Sequence, residues 1–513
     1  MKSAFFDRKP NVAIGARRAE AHRLSLPSQA LILAAVMSSL AGCASRAGIE
    51  PSGHIAEAGD LQASRSLVRE LREASAWPAT DWWRGLGDPQ LDRLIDEALA
   101  GTPDLAVADA RARDAEAATS SARAARGPAL DGNTSAAVNR RSNQAWPLDL
   151  GGGRNAFVRD SAVNLSWDLD LWGGKRAAWE AAVGRAQAAE VDRQAARIEL
   201  STAIARAYVR LGYVSARHDI ATAELARARN LLDLARQRSR SGIEDQLQVR
   251  RAEGDSATAE QEIARADREI GSARIALAIL LGKGPDRGLE IARPSLLRPA
   301  AVTVPPNLPS DLIGRRADIV AARWRVEASG RDIDAAKAEF LPNISIAGLA
   351  GFSSLNAGSL IGASALTYRF GPAISLPLFD GGRRRANLAD RDAAYDLAVA
   401  QYNKTLVAAL NTVADRLGNL RSLAKQVEAQ QRATDAANAA WSIAETRYRA
   451  GIGSYLEALS VRQQLLAAQQ RMASLNAEQV DLSLQLIEAL GGGYRPDPQD
   501  RRAVKPAPVK DPA

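Results

Sequence analysis

The feature that most constrains this chain is that its sequence is written twice. Thr102-Pro-Asp-Leu-Ala-Val-Ala-Asp-Ala-Arg111 reads against Arg316-Ala-Asp-Ile-Val-Ala-Ala-Arg-Trp-Arg325, and both lead through Ala-rich helical turns to a proline, Pro128 and Pro342. Leu171-Trp-Gly-Gly-Lys-Arg-Ala177 reads against Phe379-Asp-Gly-Gly-Arg-Arg-Arg385. Arg238-Ser-Arg-Ser-Gly-Ile243 pairs with Arg447-Tyr-Arg-Ala-Gly-Ile452, and Leu280-Leu-Gly282 with Ala489-Leu-Gly491. The separation is 214 residues at the first pair and 209 at the last two, a loop-sized deletion. Solenoid repeats run to roughly 20–50 residues, so this is a duplicated half-structure.

Each half carries the same order of patterns. A short helix is expected over about 88–126 and again over 315–340, the first opened by Asp88-Pro89 as N-cap and first helical residue. Then comes alternation. Val163, Leu165, Trp167, Leu169 and Leu171 share one parity with polar residues between them; Leu366, Tyr368, Phe370, Ile374, Leu376 and Leu378 do the same around Pro372. Period 2 with one apolar and one polar face marks a membrane-barrel strand. Weaker partners at about 130–142 and 342–352 complete a hairpin in each half, with Gly-rich loops at Gly151–Gly153 and at Gly358 and Gly362. From Gly174 to about Ser239, and from Gly382 to about Arg449, proline is absent and glycine rare. Larger apolar residues recur there at coiled-coil spacing: Val191, Ile198, Ile204, Tyr208 and Leu211 in one copy, Tyr395, Tyr402, Leu406, Val413 and Leu417 in the other. At 1.5 Å per residue each helix is about 100 Å long, several bilayer thicknesses. Gly242 and Gly451 break them, and shorter helices return towards Gly282 and Gly491.

The N-terminus reads as an address. A basic stretch, a short apolar run from Leu31 to Leu40 and the sequence Leu40-Ala-Gly-Cys43 describe a secretory signal, residues 1–42. The single Cys of the chain stands where a bacterial lipoprotein signal needs its acyl-accepting thiol, and the motif resembles a lipobox. A diacylglycerol on Cys43 and an acyl chain on its freed amine would anchor the mature chain durably, where one chain alone binds marginally. Ala44 and Ser45 follow, and the resemblance implies that Ser at the second position, rather than Asp, permits transfer to the outer membrane. The formal charge of +8 weakens on inspection. Residues 1–42 hold six basic residues against Asp7 and Glu20, which leaves +4 with interspersed signs on the rest and no nucleic-acid stripe. One Cys and three scattered histidines (His22, His54, His218) argue against a metal centre, and no nucleophile–base pair or cofactor loop suggests an enzyme.

Four strands cannot close a barrel, and an open sheet edge is not tolerated in lipid, so the strands must close between chains; two, three or four copies would give eight, twelve or sixteen strands. Phe370-Gly-Pro-Ala-Ile-Ser-Leu-Pro-Leu-Phe-Asp-Gly-Gly-Arg-Arg-Arg-Ala-Asn387 and Asp311-Leu-Ile-Gly-Arg-Arg-Ala-Asp-Ile319, with the doubled strand–Gly-Gly–long-helix order, resemble the outer-membrane factors of the TolC/OprM type. The lipoprotein signal and the Leu-Trp-Gly-Gly copy are most similar to the NodT-type efflux lipoproteins. The similarity spans about residues 80–493 and departs at Ala317, where the family usually carries Pro.

That resemblance implies a mixed α and β membrane protein. A homotrimer would form a twelve-stranded outer-membrane β-barrel, four strands per chain, continued by a long periplasmic α-helical barrel. It implies a passive efflux duct for drugs or other small solutes, with a periplasmic adaptor and an inner-membrane transporter as partners and no chemistry of its own. A type I protein-secretion duct shares these features; a lipid-anchored coiled-coil scaffold is the reading from another class. The expected organisation is a lipid-anchored segment (43–87), a first repeat (88–292), a linker (293–314), a second repeat (315–493) and a disordered tail (494–513). Trp172, at a strand end, is placed to anchor at the membrane interface, while Trp82-Trp83 is expected to pack the N-terminal segment onto the body.

The resemblance also carries over a gate. The family's entrance motif, Tyr-x-x-Gly followed six residues later by an acid, is matched by Tyr448, Gly451 and Glu457, and a ring of Glu457 side chains would favour cations. Ser460 stands where the family can carry a second acid. Gln248 is the first-copy equivalent of Glu457, and a contact from the Tyr448 hydroxyl to Gln248 of a neighbouring hairpin is expected as a latch. Gly242, Ile243, Arg447 and Arg449 mark the hairpin tips and adaptor docking. By composition alone Glu457 is equally an ordinary solvated helix residue, and Arg447 and Arg449 are placed to neutralise a ring.

Overall fold

Prolines and glycines set where each element begins. The computed structural model describes residues 46–57, 61, 77–140, 142, 144, 153–295, 308–355 and 360–497. Cys43, the signal segment and residues 498–513 lie outside the described residues, as do 296–307 of the linker. Helix α1 (Pro89–Gly101) starts with Pro at N1 and the Asp88 carboxylate accepting from Gln90 N and Leu91 N. The expected single helix over 88–126 is two. Thr102 and Pro103 interrupt it, because Pro103 cannot continue α1 but suits the first turn of α2 (Pro103–Ala124), which Thr102 caps.

Strand β1 (Ala129–Arg140) pairs antiparallel with β2 (Asn155–Asp168). β2 ends at Asp168, short of Leu171, because Asp170 takes a left-handed φ of 47° and its carboxylate accepts from Lys175 N and Arg176 N at 2.8 Å. That cap launches α3 (Gly174–Arg240), a helix of 67 residues. A turn leads to α4 (Gln246–Leu280), followed by the short α5 (Pro285–Leu289). The second half begins inside the expected linker with α6 (Leu308–Arg315), then α7 (Ala317–Ala338), β3 (Asn343–Ser354) and β4 (Leu366–Ser375). It closes with α8 (Arg383–Arg449), again 67 residues, and α9 (Tyr455–Ala489), whose 35 residues equal those of α4. The tail does not begin at 494: Tyr494 is buried, packed with Val191, Ala317 and Val320.

The four strands form one antiparallel sheet in the order β1-β2-β3-β4. Register settles what each face is made of, since residues directly opposite share a face. Leu130 lies opposite Leu165, Leu165 opposite Gly348, and Gly348 opposite Phe370; Ala350 lies opposite Tyr368 and Ile344 opposite Ile374. One face is therefore apolar, and it is left open: Leu130 is 70% exposed, Phe370 72% and Tyr368 78%. The other face is polar, with Asn164 donating to Asn133 at 2.7 Å and the Ser353 hydroxyl to Asp160 at 2.7 Å. An apolar face of this size on a four-stranded sheet suits lipid, and the polar face suits a solvated lumen. The edges β1 and β4 have no partner strand among the described residues.

The helices make a matching open layer. Near the sheet, α2, α3, α7 and α8 lie side by side; further away the same positions are taken by α4, α3, α9 and α8. The long α3 and α8 run through both levels, while α2 passes its place to α4 and α7 to α9. Glycine makes each hand-over possible. Gly282 (φ 67°) lies so close to Pro103 that a Cβ would collide with its Cδ; Gly491 (φ 96°) meets Arg315 O in the same way. A left-handed backbone and no side chain are both required there. The apolar core sits at this level. One cluster joins Leu91, Leu94 and Ile95 of α1 to Ile204, Tyr208 and Leu211 of α3, with Trp82 and Trp83 packed in; another joins Leu312, Ile319 and Val326 to Val399, Tyr402, Leu406 and Val413.

Residues 46–57 run down α7 and α8. Ile49 packs by Ile333, Ala336 and Leu388, and the Asp396 carboxylate accepts from the Ser52 hydroxyl (2.7 Å) and from Gly53 N (2.7 Å). The Ser52 hydroxyl and the Gly53 amide hold the Asp396 carboxyl below the ordinary aspartate range. A carboxyl depressed in the folded chain contributes above its unfolded value and loses that contribution as pH falls through its folded one. Asp396→Ala should therefore speed protease cleavage within 46–57 at neutral pH, and the wild type should approach the variant's rate only in acid. Equal cleavage at all pH values would remove Asp396 from the account.

Candidate functional site at the hairpin tips

Both long helices end alike. Gly242 (φ 69°) and Gly451 (φ 79°) terminate α3 and α8; Ile243 N donates to Arg238 O and Ile452 N to Arg447 O, the C-cap pattern that a left-handed glycine allows. The duplication thus places Gly242 and Ile243 where Gly451 and Ile452 stand in the second tip. Ile243 (65% exposed) and Ile452 (73%) project from the tips, and Leu247 and Leu456 repeat the exposure one turn on. Sequence reasoning singled out Ile243 alone; applying the same 209-residue offset to it and to its helix finds the other three.

The tips are fastened by a clamp of which the sequence singled out only Tyr448. The Tyr448 hydroxyl donates to Glu244 Oε2 at 2.9 Å. Arg238 pairs with the other Glu244 oxygen at 3.1 Å, donates to Tyr448 O at 2.9 Å, and stacks its guanidinium 4.9 Å from the Tyr448 ring centre. All three groups are withdrawn from water: the Arg238 and Glu244 side chains are 13% and 11% exposed and Tyr448 is fully buried. Burial and the adjacent Glu244 carboxylate push the Tyr448 phenol well above its usual range, so it stays a donor at every physiological pH. Within the chain the expected partner Gln248 is displaced by Glu244. Gln248 lies beside Asp245, the N-cap of α4, and Glu244 reaches Tyr448 from the turn before that helix.

A second network lies farther up the hairpins. Tyr455, stacked edge-on against Tyr448 at 6.0 Å, donates to Asp255 at 2.9 Å. Arg462 of α9 reaches Glu224 of α3 at 2.9 Å and Asp255 of α4 at 3.4 Å, with the Arg462 and Glu224 side chains 5% and 8% exposed. Arg227 approaches the same Glu224 at 3.6 Å. Burial raises the Glu224 carboxyl above its ordinary range in spite of Arg462 and Arg227, which is why the cations are needed. Apolar packing of Leu231, Ala235, Val249, Trp441 and Leu465 fills the space between the two networks.

The remaining candidates are dispersed. Glu457 is half exposed at the start of α9, where the Ser454 hydroxyl accepts from Glu457 N at 3.2 Å; Ser454-x-x-Glu457 has the sequence of a capping box, a helix-start role that its sequence position already allowed. Arg447 Nε lies 3.8 Å from Glu457, while Arg449 pairs with Glu445 at 2.7 Å. The arrangement holds charge and fastens helices. Among the described residues no group of His, Cys, Asp and Glu is placed to hold a metal ion.

Comparison with known proteins agrees with this architecture. The sequence model described as "Outer membrane efflux protein" matches residues 94–283 and again 308–492, one match per copy of the repeat. The fusaric acid resistance protein FusA of Burkholderia cepacia is 40% identical over 372 residues, 71% of this chain and 69% of that one. The multidrug resistance outer membrane protein MdtP of Escherichia coli is 31% identical over 439 residues, covering 83% and 88%. Among solved structures, the outer membrane protein VceC of Vibrio cholerae superposes with a TM-score of 0.77 at 34% identity, over 82% of this chain and all of that one.

Proposed function

The chain belongs to the outer membrane efflux protein family, whose members are outer-membrane exit channels and not enzymes, and from that premise we propose that three copies assemble into one duct closed at the hairpin tips. The observation that carries the proposal is the coincidence of two open layers, a four-stranded sheet with bare edges β1 and β4 and a four-helix layer with edges α2/α4 and α8. Edge-to-edge closure of three such units gives twelve strands and a helical tunnel, and leaves no strand edge in lipid.

In this reading the clamp of Arg238, Glu244 and Tyr448 holds the second hairpin against the first in the resting state. The paired isoleucine and leucine side chains at the two tips, Ile243 with Leu247 and Ile452 with Leu456, form the docking surface for a periplasmic adaptor that couples the duct to an inner-membrane transporter, with Gly242, Gly451 and Arg447 shaping it. The cargo is of the small organic class; the relatives' names, resistance to fusaric acid and to multiple drugs, favour it over protein cargo. Cys43 carries diacylglycerol and an amide-linked acyl chain in the inner leaflet of the outer membrane. Its support is position: Arg46, three residues after Cys43 in the sequence, lies beside Trp172 at the end of the barrel, and three residues of chain reach at most about 10 Å.

Native mass spectrometry of the full chain, expressed with its own signal and extracted in detergent, tests the assembly and the anchor together. Three copies, each beginning at an acylated Cys43, are expected; a stable monomer would overturn the duct. The Glu457 ring is tested separately. Glu457→Ala should lower cation preference in planar bilayers while leaving the size of the conductance close to wild type, because Arg447 already offsets part of the charge. Unchanged selectivity would leave Glu457 with its helix-capping role only.

A further inference from the structure

We propose that the cavity where α3 leaves the barrel binds the anionic phosphate of a phospholipid headgroup in the inner leaflet. The cavity, about 480 Å³, lies between the first turns of α3 and the last turns of α7, under the ends of β2 and β3. Its upper rim is apolar. Trp172, 52% exposed with its indole N–H donated to Pro342 O at 2.6 Å, and Leu341, 39% exposed, stand there. A tryptophan fixed by its polar edge at a strand end is the usual marker of headgroup depth.

Below that rim the lining carries four cations, Arg46, Arg176, Arg331 and Lys337, against two carboxylates. The carboxylates are already taken. Arg176 pairs with Glu180 at 2.9 Å, and Arg331 with Glu180 at 3.3 Å and Asp334 at 3.4 Å. Among the described residues, Arg46 and Lys337 form no ion pair within 4 Å. Asp392 of α8 attracts Lys337 through space, yet both its carboxylate oxygens lack a hydrogen-bond partner, so it does not engage the ammonium. Two positive charges are thus left over beneath an apolar rim, Arg46 exposed at the mouth and Lys337 half-buried. A soluble anion would use the charge alone; a phospholipid uses both, with phosphate on Arg46 and Lys337 and acyl chains along Trp172 and the strands.

Position in the assembly keeps the cavity open. α3 and α7 are the two inner helices of the four-helix layer, away from the edges at which neighbouring copies would join. That the cavity faces lipid rather than the lumen rests on the proposed anchor, because Arg46 stands only three residues after Cys43 in the sequence.

The test exchanges the full-length protein into detergent containing phosphatidylglycerol and reads retained lipid by native mass spectrometry, with and without inorganic phosphate. Wild type should retain about one phosphatidylglycerol per chain. An Arg46→Gln, Lys337→Gln double variant should retain about twenty-five-fold less, since each basic side chain near a lipid phosphate contributes on the order of fivefold. Lys337→Arg should restore most of it, and an intact oligomer in the same spectrum shows that the variant is folded. Equal retention by variant and wild type overturns the site. Displacement by inorganic phosphate overturns the lipid as its occupant and assigns a soluble anion instead. The same spectrum reports acylation of Cys43. Lipid retained on an unacylated chain upholds the cavity and fails the anchor, and an acylated chain that retains no lipid does the reverse.

Discussion

Tyr448→Phe should open the periplasmic end. The substitution keeps the ring, and with it the packing on Tyr455 and the stacking under Arg238, and deletes only the hydroxyl that reaches Glu244 at 2.9 Å. A buried hydrogen bond to a charged acceptor is worth about 1.5–3 kcal/mol, and three clamps release together in a trimer, so the closed state loses a large part of its advantage. Glu244→Ala should go further. It strands the buried Arg238 guanidinium as well, so its single-channel conductance is expected to exceed that of Tyr448→Phe, which in turn exceeds wild type. Gln248→Ala should behave as wild type. A ranking in which Gln248 matters and Glu244 does not would return the latch to the contact between neighbouring hairpins.

The second large effect is expected at Arg462. Arg462→Met leaves Glu224 buried with only Arg227 nearby, and breaking a buried pair in this way costs about 3–5 kcal/mol. The loss should appear as protease cleavage in the lower halves of α8 and α9 and as a lowered unfolding temperature, with the barrel end unaffected. Adding Glu224→Leu removes the stranded carboxylate and should recover most of the stability, because well-packed apolar residues replace buried ion pairs at little cost. If the double variant is no better than Arg462→Met, the cost lies in packing around the arginine stem and not in the charge.

Much of the architecture was legible because the repeat multiplied weak signals. Alternation in Leu366–Leu378 was clear, and the second copy made credible a first one in which Arg159 and Ser161 interrupt the apolar parity; β2 accordingly starts earlier than alternation alone indicates, at Asn155. Leu280-Leu-Gly282 and Ala489-Leu-Gly491 matched because both glycines bridge a returning helix to the start of a shorter one. The repeat also hid what only one copy has. Glu244 stands opposite Gly453 of the second tip, so comparing copies gives it no weight, although it holds the clamp. Glu224 and Arg462 are single charges on helices rich in both signs, and their roles depend on which helix faces them, a tertiary fact. Asp170 was invisible for a local reason: a left-handed aspartate looks in sequence like one more strand residue.

Single-channel recording of the purified, membrane-inserted protein, wild type beside Glu244→Ala, tests the central claim most directly. A duct fastened at its tips gives small, infrequent conductance steps in the wild type and larger, longer ones in the variant. No conductance from either protein, with trimers present in the bilayer, would contradict the account, because releasing the clamp removes the one resting closure that it assigns.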